Sequence, residues 1–350
     1  MEMQVIVYED AGWRRLLPLV YSRASFELWC GSTNLLARIQ RLIPEPHDNM
    51  GRSGSPPPLS VWCREEVAAV VAERTGRPVN QTVNSDGLFL NGRGVWHKLP
   101  PRDLRSGSWV GVAGNDRQIA CLHADSDLTA RLTKPGVLDE TALGQLLAGM
   151  PRQDVSDCVT ILDWPWNFVH ANGPQLVADW QDEQAGIAGI VHPGSHLVNP
   201  QGIHVGWGGK IKPCVVIDAE DGPVWIGDNV TVYRHTYIHG PVYIGSGSLI
   251  QPGSVVQGGT TIGPRSKIGG EVEASIVQGF SNKQHDGFLG HSYIGSWVNL
   301  AADCINSDLK NTYGQVRVPI NGREVESHEM FVGMFMGDYS KAGINVSFPT

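Results

Sequence analysis

Several features that would have pointed elsewhere are missing from this chain. No two cysteines stand in C-x-x-C spacing, and Cys30, Cys63, Cys121, Cys158, Cys214 and Cys304 are scattered singly. That pattern argues against a zinc ribbon, a dithiol redox centre and a disulfide framework, and it fits the reduced thiols of a cytoplasmic protein. No run of about 18 apolar residues occurs, so no membrane span is expected. Lysine and arginine form no block and the formal net charge is −8, so neither a nucleic acid nor an anionic membrane is an expected partner. The opening MEMQVIVYEDAGW carries acids early and has no long apolar core, so it is not read as a signal peptide.

What is abundant is glycine, with 42 residues, and proline, with 22, in a chain of 350. Such an excess suits turn-rich β structure better than helix bundles. The length suits about two domains. The first half alternates strand and helix signals. MQVIVYED is a β-branched run, a cap-like Ser-Thr-Asn opens a helix after Ser32, and SVWCREEVAAVVAERTG reads as a strand end and a helix stopped by Gly76. GLFLNGRGVW reads as strand, turn, strand, and helices are expected near 127–150 and 166–184. An α/β domain over 1–185 follows.

From about Val191 the period changes to six. The first position of consecutive hexapeptides reads Ile226, Val232, Ile238, Ile244, Ile250, Val256, Ile262 and Ile268. The fifth position reads Val230, Thr236, Val242, Ser248, Ser254, Thr260, Ser266 and Val272. Six is neither the helical period nor strand alternation; it marks a parallel β-helix, in which each hexapeptide gives one short strand and one corner. The aliphatic residue points into a narrow prism and the small one fits the corner. Earlier coils trace to Val191, Leu197 and Ile211, and AEDGP inserts residues before Ile226. The expected second domain spans 186–350. The repeat breaks at Val277–Gly295, VQGFSNKQHDGFLGHSYIG, where two histidines, an asparagine and a lysine suggest an active-site loop. For the repeats by themselves, a structural spacer is the lesser alternative.

The stretches LLPLVYSRASFELWCG, PWNFVHAN, GFSNKQHDGFLGHSYIGSWVNLAADCINSDLKNTYGQV and GDYSKAGINVSFPT resemble the bifunctional sugar nucleotidyltransferase/acetyltransferase family typified by bacterial N-acetylglucosamine-1-phosphate uridyltransferase. The likeness is specific in the second half and loose in the first. It implies a left-handed β-helix of the hexapeptide-repeat acyltransferases, a homotrimer, and acetyl-CoA as acyl donor to an amino-sugar phosphate or nucleotide-linked amino sugar. It also places His285 at the catalytic base, Asn299 at a supporting asparagine and Ala302 at the backbone amide near the oxyanion. A histidine near neutral pKa suits the deprotonation of a sugar ammonium, and a backbone N–H suits a tetrahedral oxyanion. Asn282, Lys283, Phe288, Asn306, Lys310 and Asn311 are the expected acceptor-binding residues. Three family residues that hold the sugar phosphate or ring are replaced by Gln257, Glu273 and Phe288, so the acceptor is expected to differ, with Lys283, Arg265 or Lys310 as substitute cations. The sequence stops at Thr350 within GINVSFPT, short of the later coils that help hold acetyl-CoA in the family, so either it is a truncated piece or its cofactor site is incomplete.

The same resemblance implies a nucleotidyltransferase in the first half, with Mg2+ if that half is active. The expected glycine-rich phosphate loop is replaced by YEDAGWRRLLPLVYSR, where Gly12, Arg14, Arg15 and Arg23 remain as weak nucleotide-binding candidates. LFLNGRG puts Arg93 where a metal-binding aspartate often follows an apolar strand. An unusual active enzyme, an inactive sugar-nucleotide-binding domain and a structural relic all stay open for this half. Trp164, Trp166 and Asn167 are expected to pack the seam between the domains rather than to stack on a sugar or base. For the second half the rivals are a zinc site of the γ-carbonic-anhydrase kind built from His235, His239, His285 and His291, a trimeric scaffold without catalysis, and a β-helix serving only a nucleotidyltransferase.

Overall fold

The computed structural model describes residues 3–44, 59–101, 107–134, 140–180 and 185–350, without the side chains of residues 140–142. The chain divides into two compact units. The first comprises residues 1–16, 22–28 and 33–163; the second comprises residues 17–21, 29–32 and 164–350. The helix at Pro165–Trp180, which the sequence grouped with the first half, belongs to the second unit.

The first unit is an α/β sheet. In chain order its strands are β1 (Gln4–Tyr8), β2 (Leu59–Trp62), β3 (Gly87–Asn91), β4 (Trp109–Ala113), β5 (Gln118–Ala124) and β6 (Arg152–Asp154), laid side by side as β2-β1-β3-β5-β4-β6. The first three are parallel, and β5 runs antiparallel to both β3 and β4. β1, β2 and β3 are buried almost throughout, as near-continuous apolar strands must be when both faces are covered. Val7, Val61 and Leu90 line one face with Ile39, Val67 and Val71 from two helices, while Ile6, Phe89 and Leu122 line the other. The Leu35–Leu42 helix starts at Asn34, whose side chain accepts the Ala37 N–H at 2.8 Å. The Glu65–Thr75 helix ends at Gly76 with φ of 62°, a left-handed turn that glycine makes without a Cβ clash.

The second unit is a left-handed parallel β-helix of hexapeptide repeats, with three sheets of two- and three-residue strands. In the sheet from Gly186 to Met336 Val224 pairs with Val242, and Val242 with Thr260. The inward column of the second sheet runs Ile211, Val232, Ile250, Ile268, Lys283, Leu300 and Ala342. Aliphatic residues of all three sheets fill the prism, with Ile226, Ile238, Ile244, Val256 and Ile262 wholly buried. Ser248, Ser254 and Ser266 occupy the inside of corners and are likewise buried, as is Thr260 at the start of its strand.

Two details depart from the sequence reading. Val272, expected at a corner, pairs with Val256 and points into the prism, because Gly269 and Gly270 turn the corner with fewer residues. The break at Val277–Gly295 is also no loop: Ile276–Val277, Asn282–Lys283, Phe288–Gly290 and Tyr293–Ile294 all stay in their ladders. The true excursion comes later, between Ile305–Asn306 and Phe335–Met336, where Tyr293 pairs with Phe335. It carries an antiparallel hairpin, Arg317–Ile320 with Arg323–Glu326. Val316, Val318, Ile320 and Val332 of this excursion pack on Trp166, which stacks on Trp164 at 5.2 Å, so these tryptophans serve as core. The Pro165–Trp180 helix lies against the first sheet. Asn172 donates to the Gly259 carbonyl at 2.8 Å, and Gly173 faces Gly259 where a Cβ would come within 3.4 Å of its Cα.

Candidate active site

The corner after Asn282–Lys283 is the most distinctive place in the β-helix. Gly269 N–H donates to the Lys283 carbonyl at 2.7 Å, and Glu271 N–H donates to the Gly287 carbonyl at 3.1 Å. Gly270 alone therefore spans on one coil what Gln284, His285 and Asp286 span on the next. The surplus bulges outward as an overhang that carries His285 and Asp286, both exposed. This is what the broken period encodes: two glycines shorten one corner, and a full-length corner follows it. The described partner of the His285 ring is the neighbouring Gln284 amide at 3.3 Å.

The other expected catalytic residues lie on the following coil. Asn282 pairs with Asn299 in the ladder and its side-chain amide donates to the Asn299 side-chain oxygen Oδ1 at 2.7 Å. The same register sets Ala302 at the corner beside the overhang, where its carbonyl accepts the Asn345 N–H at 3.0 Å. His285, Asn299 and Ala302 thus share one corner region of adjacent coils.

The acceptor residues separate. Lys283 was expected to meet substrate, but its side chain turns inward and is buried, and its ammonium donates to the carbonyls of Gly269 (2.7 Å), Gly287 (2.9 Å) and His285 (3.3 Å). An ammonium has three N–H donors, so none is left for a ligand. Burial pushes its pKa down to about 8. Asn306 is buried as well; its side chain holds both the N–H and the carbonyl of Gly290 at 3.0 Å. It shapes the backbone and does not face solvent. Phe288 is half-buried on the third sheet beside Glu271. Lys310 donates to the Gln315 carbonyl at 2.9 Å within the excursion, and Asn311 is exposed beside it.

A dyad that the sequence did not pair lies at the next corner of the same coil. His291 Nδ1 and Asp308 Oδ2 are 2.8 Å apart and both side chains are largely buried. With the aspartate ionised, Nδ1 carries the proton and Nε2 is the basic nitrogen. The ring stacks on Phe331 at 4.9 Å. His170, 5.9 Å from His291, meets the Phe331 carbonyl at 3.0 Å. A Cβ on Gly290 would fall 2.3 Å from Asp308 Oδ2, so glycine makes room for the carboxylate. The only signal for this pairing in the sequence was Asp308 in the polar stretch that follows the coil.

In the first unit, the ends of β1 and β3 form the crevice where open α/β sheets bind ligands. Here it is filled from within. Arg93 donates to both oxygens of Asp10 at 2.6 Å, to Asp163 at 2.7 Å and to Gln118 at 3.1 Å. Burial works against its charge, but Asp10 and Asp163 more than offset that and hold it protonated. Arg15 also bonds Asp163, whose pKa stays below the usual range: burial would raise it, and Arg93, Gln118 and Arg15 outweigh that. A Cβ on Gly12 would lie 2.4 Å from the Arg93 guanidinium carbon, which explains glycine there. Of the weak nucleotide candidates, Arg14 is exposed 4.9 Å from the Trp13 ring, and Arg23 is buried. A divalent cation needs carboxylate oxygens to coordinate, and these two carboxylates already serve arginines, so the residues present do not fit Mg2+ at this place. Among the described residues no group of three histidine, cysteine, aspartate or glutamate side chains is arranged to hold a metal ion. Nor is any described helix long and apolar enough to cross a membrane.

Residues 5–186 match the profile of the sugar nucleotidyl transferases, which is more than half of the chain. The chain belongs to the sugar nucleotidyl transferase family. Residues 223–258 and 241–273 match the bacterial transferase hexapeptide repeat. Over 136 residues the chain is 34% identical to a bifunctional sugar-1-phosphate nucleotidylyltransferase/acetyltransferase of Sulfurisphaera tokodaii, covering 35% of this chain and 34% of that one. Over 78 residues it is 37% identical to the bifunctional protein GlmU of Methanocaldococcus jannaschii, covering 22% and 19%. Over 145 residues it is 28% identical to the GlmU of Rippkaea orientalis, covering 41% and 30%. The matches span about a third or less of the length of these curated relatives. A solved structure of a mutant of AntD, an N-acyltransferase from Bacillus cereus in complex with dTDP and coenzyme A, is 12% identical with a TM-score of 0.26, covering 43% of this chain and 88% of that one. Both family assignments put the chain among transferases, as the motifs implied.

Proposed function

We propose that the β-helix unit transfers the acetyl group of acetyl-CoA to the amine of an amino-sugar phosphate or a nucleotide-linked amino sugar, with His285 as general base. The observation that carries this reading is the overhang that exposes His285 at one corner with Ala302 on the adjacent coil. The imidazole accepts the proton of the attacking amine as the C–N bond forms. The tetrahedral oxyanion is met by a backbone N–H, the role assigned to Ala302, and the C–S bond then breaks to release the thiol. The thioester is already activated, so no covalent enzyme intermediate is needed. Exposure of His285 on a single chain suits a cleft completed by a neighbouring subunit of a homotrimer. With Lys283 turned inward, Arg265 and Lys310 remain of the three expected substitute cations, Lys267 and Lys341 stand beside Asn282 and Asn299 in the ladder, and Phe288 replaces a hydroxyl-bearing ring. These departures favour an acceptor other than plain glucosamine 1-phosphate.

The test is a mass-spectrometric assay with acetyl-CoA and a panel of amino-sugar 1-phosphates and nucleotide amino sugars, run on wild type, His285→Ala and His291→Ala. An acetylated product lost in His285→Ala supports the reading. Product lost in His291→Ala and kept in His285→Ala moves the base to His291, a second reading favoured by the Asp308 hydrogen bond, because a base oriented by a third group is the recurring catalytic arrangement.

A nucleotidyl transfer by the first unit is favoured by the family match over residues 5–186. The arginine-bound carboxylates oppose it. Release of pyrophosphate from a nucleoside triphosphate and a sugar 1-phosphate decides between turnover and binding alone.

A further inference from the structure

The inward column of the second sheet is aliphatic from Ile211 to Ala342 with one exception, Lys283. A lysine at such a place exchanges a favourable apolar burial for the desolvation of a charge. The structure compensates with backbone carbonyls from two successive coils, and glycines let them converge. Gly270 has φ of 73° and Gly287 has φ of 124°, and a Cβ on Gly270 would lie 3.0 Å from Lys283 Nζ. Two of the three carbonyls, those of His285 and Gly287, belong to the overhang; the third, that of Gly269, belongs to the shortened corner beneath it. The ammonium therefore ties the overhang to the coil beneath it, beside the Glu271 N–H that holds the Gly287 carbonyl at 3.1 Å.

We propose that Lys283 is a positioning residue: from inside the coil its ammonium fixes the Gln284–Gly287 turn in the conformation that presents the His285 imidazole. Two observations favour function over simple filling. An aliphatic side chain, as in Ile268 one coil earlier, would fill the prism at no electrostatic cost. And the carbonyls that Lys283 binds flank the one residue that the acyl-transfer reading makes the base. The activity arm of the test rests on that reading; the exchange arm does not.

Protonation sets how well the strut works, because the neutral amine has two N–H donors for three carbonyls. Burial brings that proton loss down to about pH 8 against the opposing pull of Asp286 and Cys304, the ionisable groups that face the ammonium, and so inside the range where acyl transfer is measurable.

The experiment compares wild type with Lys283→Met and Lys283→Gln in the full chain. Acetyl transfer is followed by mass spectrometry from pH 6 to 9.5, and amide hydrogen exchange is followed over the 279–292 segment. We expect Lys283→Met to lower kcat at least tenfold with KM for acetyl-CoA within twofold of wild type. Wild-type kcat should fall above pH 8 and the fall should be missing from the variant. Lys283→Gln, which restores two donors, should recover part of the loss and guards against failure of the methionine variant to fold. Exchange at Asp286–Leu289 should quicken in Lys283→Met. A variant with kcat within twofold of wild type and unchanged exchange overturns the proposal. If wild type acetylates no acceptor, the acyl-transfer reading fails by itself, and the exchange rates then decide whether Lys283 holds the turn.

Discussion

At the residue scale, three side chains test the account separately. Removing His285 should cost acyl transfer about 100-fold or more, the usual weight of a general base. The melting temperature should not move, since the ring is exposed. A loss below threefold would point away from His285. Lys283 makes a prediction about stability whose sign is fixed. Its pKa is about 8 in the folded protein, against roughly 10.4 for a free lysine. Between those values the unfolded chain holds the additional proton, so this group's contribution to stability rises with pH across the window. The urea-unfolding free energy of wild type relative to Lys283→Met should therefore shift in favour of wild type from pH 7 to pH 10, by on the order of 3 kcal/mol. A difference that stays constant with pH would contradict the burial of a charged ammonium. Activity moves the opposite way over the same range, which separates the two effects. In the first unit, Arg93→Ala leaves Asp10 and Asp163 without their main counter-ion. The expected cost is about 3–5 kcal/mol, read in denaturant melts. Gly12→Ala should be destabilising for the same network, by collision with the guanidinium.

At the element scale, the hexapeptide ladder was legible because each repeat is set by one aliphatic position, and Ile226 to Ile268 hold it without exception. The corner lengths were not. A period reports the spacing of inward residues, and Gly269–Gly270 alter it by shortening one corner, which then reads as an irregularity further on. The sequence reading therefore put an active-site loop at Val277–Gly295. The structure keeps that stretch in the coil and places the excursion after Asn306. Lys283 was misread for a related reason. A lone cation in a polar-looking stretch suggests a ligand, but its register one coil after Ile268 turns it inward. The excursion itself is tied down by Trp166, so Trp166→Ala should loosen the Arg317–Glu326 hairpin, seen as faster amide exchange across 316–332 with the rest of the β-helix unchanged. Uniform destabilisation of the whole unit would show that the excursion is not separately docked.

At the scale of the whole molecule, the two grammars of the sequence, alternating strands and helices and then hexapeptides, correspond to two compact units, with the Pro165–Trp180 helix and two short early segments joining the second. That joining is invisible to pattern reading, because it depends on Asn172 and Gly173 meeting Gly259 far along the chain. The site was legible only in part. His285, Asn299 and Ala302 were named as candidates through resemblance, whereas the His291–Asp308 dyad arises from two corners that sequence spacing does not bring together. The family profile and the chemistry of the first unit also pull apart: the fold is that of a nucleotidyl transferase, while its crevice holds a guanidinium between the carboxylates. If the β-helix works as proposed, light scattering of the purified chain should give a trimer, and a monomer would leave the His285 corner without the neighbour that the mechanism uses.

The most direct measurement is acetyl transfer itself, followed by product mass with wild type and His285→Ala side by side across the acceptor panel. The account predicts one acetylated amino sugar whose formation disappears with His285 and persists with another exposed histidine such as His196 replaced. No acetylated product from any acceptor, or product that forms equally well without His285, would contradict it.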